Sequence, residues 1–246
     1  MQKEEIVKNI SDLTKNESMK DVKVIGFDAD DTLWINETYY QEAEMCLCEL
    51  LKDYSHVENI TKELFRIEID NMNIYGYGVK AFTLSMIETA LTISKNLVSP
   101  SVITEVIKIG KGLLNKPVEL LDNVENTLKM LKGNYNLIIA TKGDLLDQQR
   151  KVEKSGIKDY FKHIEIMHDK NENEYNKLLK QLKIEPKEFL MVGNSLKSDI
   201  LPVIKIGAKA IHIPYHITWE HEKIESFNQL NHHEIKDFAE LITLLN

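Results

Sequence analysis

Five short apolar runs limit what this chain can fold into: VKVIGF at 22–27, NLIIA at 136–140, HIEIM at 163–167, FLMVG at 189–193 and AKAIHI at 208–213. Each is brief and rich in β-branched residues, and most are bounded by Gly, Asp or Asn, so each reads as a buried strand. Helical patterns separate the later runs: DLLDQQRKVEKSG, NEYNKLLKQLK and LKSDILPVIKIG. Gly156 and Gly207 stand where glycines close helices. Strands alternating with helices of this length form βαβ units and hence a parallel sheet. The expected fold class is α/β, a Rossmann-like parallel sheet.

Residues 37–116 break the pattern. Four segments there suit helices: TYYQEAEMCLCELLKDY, NITKELFRIEIDNMN, VKAFTLSMIETALTISKN and PSVITEVIKIGKGLL. IEID alone has strand character, but its flanks are helical. Asn59 or Thr61 is the expected cap of the second helix, and Ser99 that of the fourth, with Pro100 at its first position. The expected organisation is a discontinuous core, 1–36 and 117–246, around a helical insertion at 37–116 that exits near Pro117.

The chain has 246 residues, 43% hydrophobic and 28% charged, enough to bury a core without disulfides or structural metals. A net charge of −8 argues against a broad nucleic-acid or anionic-membrane surface. It permits a small phosphorylated substrate if a metal supplies local positive charge. No run approaches the roughly 18 apolar residues of a membrane span, and the polar first 21 residues lack a secretory apolar region. Cys46 and Cys48, two apart on a helix, read as small packing residues of a reduced protein, not a zinc pair. These features imply a cytoplasmic monomer or homodimer with no nucleic-acid or membrane partner.

The first strand ends in Phe27-Asp28-Ala29-Asp30-Asp31-Thr32, three acids within four positions. Carboxylates this close raise one another's pKa. A hard cation relieves the conflict, and oxygen-only ligands favour Mg²⁺. Strand C-terminal ends are also where parallel α/β sheets bind ligands. The competing reading is a solvated acidic turn that caps the next helix. The second strand ends in Thr141-Lys142-Gly143, a hydroxyl and backbone N–H groups suited to a phosphate, although Thr is also a common helix cap. Lys170 follows the third strand. After the fourth come Asn194 and Asp199, two further oxygen donors.

Together these residues resemble the haloacid dehalogenase-like hydrolase superfamily. Its motifs are met by Asp28-Ala29-Asp30-Asp31-Thr32, Thr141, Lys170 and Gly193 through Asp199. FDADDTLW, TKGDLLDQQ and VGNSLKSDILP look like its phosphoglycolate phosphatase and nucleotidase members. The resemblance implies that the helical insertion is a C1 cap, and the short interval between Thr141 and the third strand leaves no room for a C2 cap. It also implies hydrolysis of a small phosphorylated metabolite, a phosphate monoester, through an aspartyl-phosphate. Asp28 would be the nucleophile and Asp30 the acid and base. Thr141, Lys142, Gly143 and Lys170 would hold the phosphate. Asp28, Asp30 (through its backbone carbonyl), Asn194 and Asp199 would hold Mg²⁺. A phosphomutase or a catalytically silent binding protein is the alternative; the second Asp disfavours a dehalogenase. Two residues depart from the family pattern: Asp31 stands where Gly is common, and Asn194 where Asp is usual.

Three weaker signals remain. Tyr75-Gly76-Tyr77-Gly78 reads equally as a specificity loop or a simple turn. Trp34 reads as part of a hinge that opens the cap or, preferably, as a simple hydrophobic anchor. His212, His216 and His221 have no zinc-like spacing.

Overall fold

A computed structural model of the protein describes residues 19–224 and 232–245. Six strands form one parallel sheet in the order β3-β2-β1-β4-β5-β6: β1 (Val24–Phe27), β2 (Asn136–Lys142), β3 (His163–Met167), β4 (Phe189–Gly193), β5 (Lys209–His212) and β6 (His233–Glu234). Alternation along the strands builds two apolar layers. Ile25, Phe27, Leu137, Ile139, Leu190 and Val192 pack on one face with Val124 and Leu128. Val24, Ile138, Ala140, Phe189 and Met191 pack on the other with Tyr175, Leu178 and Val203. Both faces are covered, which is why the runs look continuously apolar in sequence. Gly26 is required by the packing: a Cβ there would lie 2.7 Å from the Phe189 ring.

Four helices make up the insertion that follows β1: α1 (Glu37–Leu51), α2 (Val57–Tyr75), α3 (Val79–Ile93) and α4 (Pro100–Leu114). They enclose their own core of Leu47, Leu51, Ile60, Leu64, Met86, Ala90 and Val106. IEID lies inside α2. The chain segments entering and leaving the insertion run side by side, with Ile35 N–H donating to Glu119 O at 3.0 Å and Leu121 N–H to Leu33 O at 3.0 Å.

Among the described residues the remaining α-helices are α5 (Val124–Leu131), α6 (Leu145–Lys154), α7 (Glu172–Leu182), α8 (Leu201–Lys205) and α9 (Glu240–Leu245). Gly156 and Gly207 have the positive φ, 74° and 82°, of residues closing helices.

Several local expectations need correction. α2 starts at Val57, before Asn59 and Thr61, because His56 already takes the extended flanking conformation. Ser99 and Pro100 do open α4, but the Ser99 hydroxyl bonds Ser101 instead of capping. LKSDILPVIKIG divides into a π-helical turn, Leu196–Ile200, and α8. Cys48 packs in the insertion core while Cys46 is exposed, so only one cysteine is a packing residue. Among the described residues no helix is long and apolar enough to cross a membrane.

Candidate functional site

The chain leaves β1 for β2 and β3 on one side, then crosses to β4 on the other, so a crevice opens beyond the C-terminal ends of the central strands. Asp28 follows β1, Thr141 and Lys142 end β2, Lys170 precedes α7 and Asn194 follows β4. With Asp30, Gly143 and Asp199 they line one cleft of about 190 Å³, roofed by the helical insertion. Every residue singled out for chemistry is thus brought to one place.

The floor is a buried charge network. Lys170 Nζ donates to Asp28 Oδ1 and, at 2.6 Å, to Asp199 Oδ1. The other Asp199 oxygen accepts the Ser195 N–H at 3.0 Å. Burial alone would lower the Lys170 pKa, but Asp199 and Asp28 together raise it, so Lys170 stays charged. One cation shared by two buried carboxylates cannot fully stabilise both. Burial pushes Asp28 up to about 7, opposed by Lys170 and reinforced by Asp199.

Beside it, the Asp30 carboxylate meets three donors. Trp34 Nε1–H lies 2.7 Å away, Gln148 Nε2 2.9 Å, and Lys151 Nζ 2.8 and 3.0 Å from the two oxygens. Lys151 also reaches Asn36 Oδ1 at 2.8 Å. Trp34 is buried as expected of an anchor, yet its ring nitrogen is spent on Asp30. Gln148 Nε2 lies as well 2.8 Å from Lys142 O and 3.1 Å from Thr141 Oγ1, so its two hydrogens are shared among three acceptors and tie α6 to the end of β2. Sequence reasoning missed Gln148 and Lys151. The available signal was their spacing of three on α6, which puts both on one helix face in the turns next to Thr141.

Asp31 explains its own departure from Gly. It adopts φ 60°, a left-handed conformation that Asp tolerates when its side chain bonds locally. Its carboxylate accepts the Asn36 N–H at 2.8 Å and the Glu37 N–H at 3.0 Å, anchoring the start of α1.

The donors suit a hard cation. Asp28 Oδ2 and Asn194 Oδ1 converge on the Thr32 hydroxyl, at 3.2 and 3.3 Å. That hydroxyl has one hydrogen for two acceptors. A cation is also what an Asp28 raised by burial requires in order to ionise. Asp199, expected among the ligands, has its oxygens on Lys170 and the Ser195 N–H, and so also braces Lys170.

A family model described as haloacid dehalogenase-like hydrolase matches residues 22–207, from β1 to the turn after α8. The chain belongs to the haloacid dehalogenase-like hydrolases. A solved structure of a haloacid dehalogenase-like family hydrolase from Xanthomonas campestris is 33% identical, covers 91% of each chain and superposes with a TM-score of 0.81. Curated relatives match over less than half of their length. The glyceraldehyde 3-phosphate phosphatase of Pyrococcus furiosus is 29% identical over 93 residues, 36% of this chain and 39% of the relative. The pyrimidine 5'-nucleotidase YjjG of Escherichia coli is 28% identical over 109 residues, 41% of this chain and 48% of the relative.

In this haloacid dehalogenase-like hydrolase, Tyr75–Gly78 is both turn and wall. Gly76 and Gly78 have φ of 72° and 102°, and Tyr77 lines the cleft with the Lys142 ammonium 4.6 Å from its ring centre. A late segment closes that side. Glu222 bonds Lys142 and the hydroxyls of Ser195 and Ser198, and Trp219 meets Tyr77 edge to face. Burial would raise the Glu222 pKa, but Lys142 outweighs it and holds it at about 2.

The roof contributes Glu37, Glu44 and Glu68. Burial raises all three; Glu37, also facing Asp31, and Glu68, also facing Glu44, reach about 8. Between pH 4.5 and 8 the folded chain keeps a proton on Glu68 that the unfolded chain releases. The stabilisation is therefore present below pH 4.5 and lost as pH rises through 8. Glu68→Gln should match the parent at pH 4.5 and exceed its stability at pH 9 by about 1–2 kcal/mol, after discounting for partial exposure. Urea denaturation at the two pH values checks this; an equal difference at both would contradict it.

Proposed function

We propose that this enzyme is a Mg²⁺-dependent phosphatase that cleaves small phosphate monoesters through an aspartyl-phosphate on Asp28. The observation that carries the reading is one cleft holding a buried Asp28 on a shared lysine and, two residues on, a second carboxylate supplied with its own cation. The phosphate-ester names of the two curated relatives support it. In this reading the helical insertion is the cap over a core of 1–36 and 117–246.

An Asp28 oxygen attacks phosphorus in line, and the P–O bond to the leaving group breaks with its electron pair going to that oxygen. Asp30, protonated, gives the leaving oxygen its proton. As a carboxylate it then takes a proton from the water that attacks phosphorus, which frees Asp28 and inorganic phosphate. The Thr141 hydroxyl, Lys142 and the Gly143 region hold the non-transferring oxygens. Lys170, braced by Asp199, balances charge and orients Asp28. Gln148 and Lys151 keep Asp30 aimed at the leaving oxygen. Asp28, the Asp30 carbonyl and Asn194 would hold Mg²⁺, which when bound supplies the positive charge that lets Asp28 and the phosphate dianion approach.

Hydrolysis of p-nitrophenyl phosphate should require added Mg²⁺ and stop on addition of EDTA. Activity undiminished in EDTA after metal stripping would refute the metal dependence.

Asp30→Asn should discriminate between leaving groups. An alkoxide needs a proton as it departs, whereas p-nitrophenolate is stable near neutral pH. Rapid-quench measurement should show phosphoenzyme formation slowed about 10²–10⁴-fold with an alkyl phosphate and far less with p-nitrophenyl phosphate. Equal slowing would mean that Asp30 acts through the metal or the fold.

A further inference from the structure

A second cluster lies at the edge of the sheet, outside the cleft. His212 ends β5 and is paired in register with Glu234, which ends β6; His232 immediately precedes β6. One ligand atom from each of His212, His232 and Glu234 lies within 4.8 Å of the others. The two imidazoles sit edge to face with centroids 5.9 Å apart. The spacing in sequence, twenty residues and then two, hid the group, because parallel pairing of β5 with β6 assembles it.

His212 shows what the cluster is built to hold. Its Nε2 lies 3.0 Å from the carbonyl oxygen of Asn194. A carbonyl only accepts, so Nε2 carries the hydrogen. In the neutral ring Nδ1 is then a lone pair, and it lies 3.0 Å from Glu234 Oε2. Two acceptors at that distance need positive charge between them. A proton on Nδ1 or a metal ion would supply it, and a third ligating atom, on His232, lies within 4.8 Å of both.

We propose that His212 Nδ1, His232 and Glu234 bind a first-row transition-metal ion, Zn²⁺ by preference, with water completing the coordination. Two imidazoles and a carboxylate suit Zn²⁺, while Mg²⁺ prefers oxygen donors, so this site is chemically distinct from the cleft. The Nε2–H bond to the Asn194 carbonyl is the outer bond that fixes a ligating imidazole in one tautomer. The ion would clip β6, held to β5 by only two residue pairs, onto the sheet.

The test uses full-length protein stripped with EDTA, returned to excess Mg²⁺ so that the cleft donors are occupied, and titrated with ZnCl₂ by calorimetry. One Zn²⁺ per chain should bind with Kd at or below about 1 µM. His232→Ala/Glu234→Gln should weaken binding at least about 100-fold. Both residues lie at or near the surface, so the variant should fold, with circular dichroism and Mg²⁺-supported turnover like the parent. Co²⁺ in place of Zn²⁺ should give visible bands of low-symmetry coordination in the parent and not in the variant. No Zn²⁺ uptake at about 100 µM, or parental uptake by the variant, would overturn the assignment. The first result would leave the His212–Glu234 contact as a proton-mediated pair, and the second would place the ion elsewhere.

Discussion

Asp28→Asn is expected to lower kcat by at least about 10⁴-fold, since removing a covalent nucleophile removes the first step rather than impairing it. The substitution should not harm the fold. Asp28 and Asp199 share one cation, and burial already holds Asp28 at about 7. An amide at this position leaves Lys170 paired one to one with Asp199. The sign in pH follows from the raised pKa: ionising Asp28 in the folded state costs free energy that the unfolded state does not spend, so stability falls as pH rises through 7. In EDTA, Asp28→Asn should therefore equal or exceed the parent in Tm at pH 8 and lose that advantage toward pH 4. Near-parental turnover in the variant would remove Asp28 from the chemistry.

Lys170→Met is expected to have the largest effect on stability. Lys170 is almost wholly enclosed and touches two carboxylates, Asp28 and Asp199, that are themselves buried. Deleting it leaves two uncompensated negative charges side by side. Breaking a buried pair by removing one partner costs about 3–5 kcal/mol. At about 2–4 °C per kcal/mol for a chain of this size, Tm should fall by roughly 10 °C. With the cation gone, the folded-state carboxylate pKa rises further above its unfolded value, so the defect should be greatest at pH 8 and partly repaired at pH 5. Lys170→Met/Asp199→Asn should recover stability at pH 8 without recovering activity. A Lys170→Met defect that does not change between pH 5 and 8 would show that packing, not charge, is what Lys170 provides.

The parts of the fold legible in the sequence are those set by local pattern. β1, β2 and β4 were visible because both sheet faces are covered there, which forces nearly unbroken apolar runs; β3 and β5, which carry His163, Glu165, Lys209 and His212, were visible from their short length and flanking turns. The insertion helices were visible because each carries one apolar face toward a shared core. β6 was not, since two residues make no pattern. The division at Leu196–Ile200 was not either, because the π-helical turn follows the packing of Asp199 against Lys170 and Ser195.

The site divides the same way. Asp28, Thr141, Lys170 and Asn194 each follow or end a strand, so the strand pattern alone brings them together. Lys151, Glu222 and Trp219 act across long sequence separations and become recognisable only by contact. The charge of Asp199 was legible, but its hydrogen-bond partners, Lys170 and the Ser195 N–H, were not. Asp31 was legible as a departure from Gly, but its left-handed φ and its bonds to the Asn36 and Glu37 N–H groups were not.

Phosphate should pass through Asp28. Enzyme mixed with ³²P-labelled substrate and Mg²⁺, quenched in acid within the first turnover and digested, should yield label on the peptide containing Asp28. The label should vanish in Asp28→Asn and accumulate in Asp30→Asn, where the second step is slowed with p-nitrophenyl phosphate. Label on any other residue, or rapid single-turnover phosphate release with no labelled protein, would contradict the account.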